Sequence, residues 1–119
     1  MSVRTQRVAK LMHREIADIL AREFPDKSVV TVTDVRVTRD LSIVYVDLSI
    51  LLDSKKERQE VFNALVSQTS LVRKILAQRI RHQMRAIPDI RFFLDNSQEH
   101  VRRIDALFHQ IKQQDHHDH

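Results

Sequence analysis

Residues 42–52 read SIVYVDLSILL, and their alternation decides the fold class. Val44, Val46, Leu48 and Ile50 share one parity, while Ile43, Tyr45, Asp47 and Ser49 share the other. Successive side chains of a strand point to opposite faces, so one face is wholly apolar and the other mixed. A sheet covered on one side only has that pattern. Just upstream, residues 29–38 are dominated by β-branched side chains and read as a second strand, with Arg39 and Asp40 forming the short turn between the two. Further upstream, Val8, Leu11, Met12, Ile16, Ile19 and Leu20 recur at three- and four-residue steps and predict an amphipathic helix over residues 4–24. Pro25 stops it, because the residue before a proline resists helical geometry.

Downstream of the strand, Ser54 with Glu57 forms a capping-box pattern that opens another helix, whose buried stripe is Val61, Phe62 and Leu65. The polar run Ser67-Gln68-Thr69-Ser70 competes with the helical backbone for hydrogen bonds, so a kink is expected at Gln68, Thr69 and Ser70. The apolar stripe resumes at Leu71, Val72, Ile75, Leu76 and Ile80, and Pro88 ends that helix. Ile90, Phe92 and Leu94 alternate in a third short strand. Asn96 with Glu99 then caps a last helix carrying Val101, Ile104, Leu107, Phe108 and Ile111. The order is helix, strand, strand, helix, helix, strand, helix. That is one α+β domain over residues 1–112, a three-stranded sheet backed by helices, with 113–119 expected as a disordered His/Asp-rich tail.

Composition removes several function classes. No apolar run approaches the roughly 20 residues that span a bilayer, and the polar, basic start over residues 1–14 holds no secretory apolar stretch, so a cytoplasmic protein is expected. The absence of cysteine excludes disulfides, thiolate zinc sites and a cysteine nucleophile. There is also no glycine in the 119 residues, where average usage of about 7% would supply roughly eight. Dinucleotide-binding loops, P-loops and kinase loops all depend on glycine and are thereby excluded.

Twenty Lys and Arg against sixteen Asp and Glu leave a formal net charge of +4. Placement says more than the total. Arg7, Lys10 and Arg14 fall together on the first helix, opposite its apolar stripe. Arg73, Lys74, Arg81 and Arg85 likewise cluster away from Leu76 and Ile80, with Arg79 nearer the apolar side. Between Glu60 and Asp89 there is no acidic residue at all. A solvated helix face normally mixes both signs, whereas a one-sign run is what phosphate contacts require.

Other candidates weigh less. His13, His82, His100 and His109 lie on different predicted elements, and His116, His117 and His119 crowd the tail, so no metal site and no cofactor are expected. Glu15 and Asp18, three apart among basic neighbours, read as intrahelical ion-pair partners rather than catalytic carboxylates. No nucleophile stands beside a positioned base, so no enzymatic chemistry is expected. Tyr45 and Phe93 are placed on the open sheet face, where base stacking is a minor alternative. The rival readings are a protein-interaction module, a metal-dependent hydrolase built on the histidines, and a non-specific RNA binder.

Several of these residues also form an ordered pattern. Arg4-x-x-Arg7-Val8 leads into Glu15-Ile16-x-x-Ile19-Leu20, followed by Val35-x-Val37, Asp40-Leu41 and Val72-Arg73. Arg85-x-x-Pro88-x-Ile90-x-Phe92 comes next, with Asp95 and Ser97 behind it. Over roughly residues 4–112 the chain resembles the ribosome-binding factor A family of bacterial assembly factors. The resemblance implies a KH-like fold of the second topological type, α-β-β-α-α-β plus a C-terminal helix. It also implies binding to the 30S subunit during late maturation, with 16S rRNA contacts near both ends of that RNA. Assistance to 16S rRNA 5′-end processing and growth in the cold follow from the same likeness, and the free protein is expected to be a monomer. Arg4, Arg7, Lys10, Arg14, Arg73, Lys74, Arg81 and Arg85 are the expected RNA contacts. Many family members carry an Ala-x-Gly kink where this chain has Gln68-Thr69-Ser70, and the segment over residues 73–88 is about two residues longer, near His82-Gln83. An extra partial turn there is expected to rotate Arg85 relative to Arg73.

Overall fold

A computed structural model describes residues 3–24 and 29–95. The elements are α1 (Val3–Glu23), β1 (Val30–Val37), β2 (Ile43–Ile50), α2 (Lys55–Val66), α3 (Thr69–Ile80) and β3 (Asp89–Leu94). The expected last helix and tail, and with them the boundary at residue 112, lie outside the described residues. Among those described, no helix is long and apolar enough to cross a membrane.

The alternating segment becomes β2, the middle strand of a three-stranded sheet ordered β1-β2-β3. β1 runs antiparallel to β2, and β3 runs parallel to it after the α2–α3 crossover. Val44, Val46, Leu48 and Ile50 are completely buried. The first three join Met12, Ile16 and Ile19 of α1, Val72, Leu76 and Ile80 of α3, and Ile90 and Phe92 of β3 in a single core. Such burial stabilises by about 25 cal/mol per Å² of apolar surface removed from water.

β1 solves a parity problem. Val32 and Val35 are three apart, yet both face the core. The register slips between Val32 and Asp34, leaving Thr33 as the extra residue of a bulge, its hydroxyl donating to the Asp47 carbonyl at 3.1 Å. The added residue returns Val35 and Val37 to the core face.

Two bends form without glycine. In the β1–β2 turn, Leu41 takes a φ of 62°, a left-handed conformation costing a non-glycine residue roughly 1–2 kcal/mol. Asp40 Oδ1 accepts from the hydroxyls of Thr38 at 2.8 Å and Ser42 at 2.7 Å, and the Thr38 oxygen accepts from the backbone of Ser42 and Ile43. These bonds hold the loop in place around Leu41. Between α2 and α3, the hydroxyls of Ser67 and Thr69 donate back to the Ala64 and Val66 carbonyls, each at 2.6 Å. They satisfy the last acceptors of α2, which a helix end otherwise leaves open. The interruption is therefore at Ser67 and Gln68, while Thr69 and Ser70 already belong to α3.

Ser54 caps α2 as its spacing predicts, its side chain accepting from the Glu57 amide at 3.3 Å. α3 ends at Ile80, and the surplus near His82-Gln83 forms a non-helical turn in which the Gln83 and Met84 amides both donate to the Ile80 carbonyl. Arg85 therefore lies in the loop to β3, away from the α3 face that carries Lys74 and Arg81.

Candidate nucleic-acid interface

α1 and α3 pack side by side over the sheet, so each presents its outer side away from the core. On α1 the buried positions are Thr5, Met12, Ile16, Ile19 and Leu20. The 100° step puts Arg7, Lys10 and Arg14 on the opposite side, where they surround a shallow depression floored by Leu11. On α3, Lys74 and Arg81 project opposite Val72, Leu76 and Ile80. Among the described residues, Arg4, Arg7, Lys10, Lys74, Arg81 and Arg85 make no ion pair, and all are exposed. Arg14 is largely exposed and 3.4 Å from its neighbour Glu15.

Other cations serve the fold. Arg79 reaches across to α1 and donates to Asp18 at 2.7 Å and Glu15 at 3.3 Å. Glu15 and Asp18 do pair within their own helix as expected, with Arg14 at 3.4 Å and Arg22 at 2.9 Å, and the clamp of α1 to α3 through Arg79 is added to that pairing. Arg79, then Arg22, hold the Asp18 carboxyl below the usual carboxylate range, and the Asp18 carboxylate raises Arg79 further. The seam acids are therefore neutralised locally and do not cancel the positive field of the outer face.

Arg73 departs from the expected cluster. It donates to the backbone carbonyls of Ile87 at 2.8 Å and Pro88 at 3.2 Å, and lies 3.4 Å from Asp89. It pins the α3–β3 connection instead of standing beside Lys74. Arg58, to which the sequence assigned no role, is buried and donates to the Leu52 and Asp53 carbonyls at 2.6 and 2.9 Å. Only an isolated arginine on the core side of α2 hinted at it.

The remaining expected contacts, Arg4 and Arg85, meet at one end of the helical layer. They line a cleft of about 390 Å³ with Val8, Asp40, Leu41 and Met84. On the far side of the sheet, Tyr45 and Phe93 do share the open face, with ring centroids 5.9 Å apart and the Arg36 guanidinium 5.7 Å above Tyr45. Arg36 also pairs with Asp47 and Asp34 there, so that face mixes both signs. Among the described residues no group of His, Asp or Glu converges as metal ligands.

A three-stranded mixed sheet with helices on one face and a bent helix pair in the crossover define a KH-like α+β domain. The family model for ribosome-binding factor A matches residues 4–108, and the chain belongs to that family. It is 40% identical to ribosome-binding factor A of Chlorobium chlorochromatii over 112 residues, covering 94% of this chain and 90% of that one. The Chlorobaculum tepidum factor is likewise 40% identical, over 94% of this chain and 93% of its own length. Among solved structures, the crystal structure of ribosome-binding factor A from Thermus thermophilus superposes with a TM-score of 0.62 at 24% identity, over 76% of this chain and 94% of that one. The same species' factor as fitted into a cryo-EM map of a 30S complex gives 0.59 at 24% identity, over 76% and 93%.

Proposed function

We propose that this protein is an assembly factor that binds the small (30S) ribosomal subunit in the cytoplasm, through 16S rRNA, without catalysing a reaction itself. The observation that carries this reading is the outer face of α1 and α3. There Arg7, Lys10, Lys74 and Arg81 have no ion-pair partner among the described residues, while the neighbouring acids are engaged by Arg79 and Arg22. Phosphate contacts from such a face fix position and orientation and carry little sequence information. Selectivity then comes from the folded shape of an immature subunit. Holding rRNA segments in one arrangement favours late maturation and 16S rRNA 5′-end processing by other enzymes, and keeps an unfinished subunit out of translation. The free protein acts as a monomer. Family membership and the 30S complex of the Thermus thermophilus factor support the choice of particle.

The test is co-sedimentation with purified 30S, 50S and 70S particles across a salt series. Selective binding to 30S that weakens steeply with salt is the expected result. Equal binding to all three particles would reduce the protein to a generic RNA binder, and binding insensitive to salt would point to a protein partner.

A further inference from the structure

The cleft at the end of the helical layer does not belong to the outer face. It lies beyond the C-terminal end of α3, whereas the Ser67-Gln68 interruption lies at the start of that helix. Three separate parts of the chain build it: Arg4 and Val8 from the first turns of α1, Asp40 and Leu41 from the β1–β2 turn, and Met84 and Arg85 from the α3–β3 loop. Its volume of about 390 Å³ falls at the small end of ligand pockets, which run from about 300 to 1,000 Å³.

Its chemistry is divided. Val8, Leu41 and Met84 are half-buried and rest on the core, so they form a fixed apolar floor. Arg4 and Arg85 are exposed and without an ion pair among the described residues, and they supply positive charge at the walls. Asp40 is held ionised, first by the Ser42 hydroxyl and then by that of Thr38. Those bonds all fall on Oδ1, which leaves Oδ2 as an acceptor. Leu41 reaches the floor from a left-handed backbone. A strained residue held by a well-bonded loop, with its side chain lining a cleft, is the kind of outlier from which a ligand contact is inferred.

We infer that this cleft seats one unstacked nucleotide of an RNA strand, its phosphate between Arg4 and Arg85 and its base on Val8, Leu41 and Met84. The inference rests on the RNA-binding reading above and adds a base contact to a surface that otherwise touches only phosphates. Asp40 Oδ2 is the acceptor for a base N–H. A cleft this small takes a single base, so the strand must leave its stack there, as single-stranded RNA ends and bulges do.

The experiment is an amide-shift titration of the ¹⁵N-labelled protein with a single-stranded RNA hexamer, with uridine and cytidine 5′-monophosphates, and with inorganic phosphate. The hexamer is expected to move the amides of Val8, Leu41 and Met84 together with those of Arg4 and Arg85, and phosphate alone only the arginines. Leu41→Gly keeps the backbone conformation and removes the centre of the floor, and should weaken hexamer binding by at least about fivefold, a part of what burying one leucine side chain contributes. Arg85→Glu, on an exposed loop, provides a second variant should Leu41→Gly unfold, and should weaken the hexamer while leaving the amide map intact. Hexamer shifts confined to Lys10, Lys74 and Arg81, or unchanged binding in both variants, would overturn the seat. Because 30S co-sedimentation is read separately, salt-sensitive binding that persists in both variants would leave the assembly-factor reading standing without the cleft. Cleft shifts with monophosphates but none with the hexamer would overturn the assignment to an RNA strand.

Discussion

Arginine does two jobs in this chain, and the partner of each guanidinium separates them. Arg58 is buried against the Leu52 and Asp53 carbonyls, which link β2 to α2. Arg81 is exposed at the end of α3 and lacks an ion pair among the described residues. Removing a buried donor leaves its acceptors unsatisfied, at a cost of about 1–3 kcal/mol. Arg58→Ala should therefore lower the free energy of unfolding in urea by about that amount, with 30S co-sedimentation unchanged when both are measured well below the unfolding midpoint. Arg81→Ala should do the reverse, moving stability by less than about 0.5 kcal/mol and weakening 30S binding. A stability loss in Arg81→Ala equal to that in Arg58→Ala would show that the exposed arginine is structural. Residue type alone could not make this distinction. Arg73 looked like a member of the outer cluster because its acceptors are backbone carbonyls 14 and 15 residues further on, and carbonyl positions are not written in side-chain identity.

At the scale of elements, what was legible in the sequence followed a period. β2 was readable because each step of two returns a residue to the same face, and α1 because each step of three or four does so. The bulge at Thr33 shows in the sequence only as a change of parity from Val30 and Val32 to Val35 and Val37, which a run rich in β-branched residues conceals. The contact between α1 and α3 was hidden for another reason, since Arg79 and Asp18 are 61 residues apart. That clamp carries a pH dependence. Asp18 has its pKa lowered in the folded protein by the hydrogen bond from Arg79 and then by that from Arg22. A depressed carboxylate adds stability that is fully present above the unfolded value, about 3.9 for aspartate, and that is lost as pH falls through the folded one. The melting temperature of the native chain should accordingly fall more steeply below about pH 4 than that of Asp18→Asn, while the two curves run parallel from about pH 5 to about pH 8. Curves that stay parallel through the acid range as well would mean that the clamp adds nothing to stability. The exposure of these side chains keeps the effect modest.

For the whole molecule, the question is whether total charge or its placement drives association. The chain carries +4 overall, and a purely global attraction would respond to any loss of positive charge. The helical layer makes a sharper statement, because Arg7, Lys10, Lys74 and Arg81 on its outer side have no acidic partner among the described residues while the open sheet face balances Arg36 against Asp34 and Asp47. Two double reversals separate the alternatives. Lys10→Glu with Arg81→Glu changes the outer face. Lys55→Glu with Lys56→Glu makes the same change of net charge in the first turn of α2, which packs on β2 and β3. New acids at that helix start also favour its dipole, so the control should fold at least as well as the native chain. Each phosphate that the protein no longer neutralises lowers the slope of log K against log salt by about 0.7–0.9. The outer-face pair should therefore flatten the slope for 30S binding by about 1.5 and weaken binding most at low salt, while the α2 pair leaves the slope within error of the native value. Equal flattening by both pairs would make binding a matter of net charge, and the faces of this domain would then have no separate roles in finding the subunit.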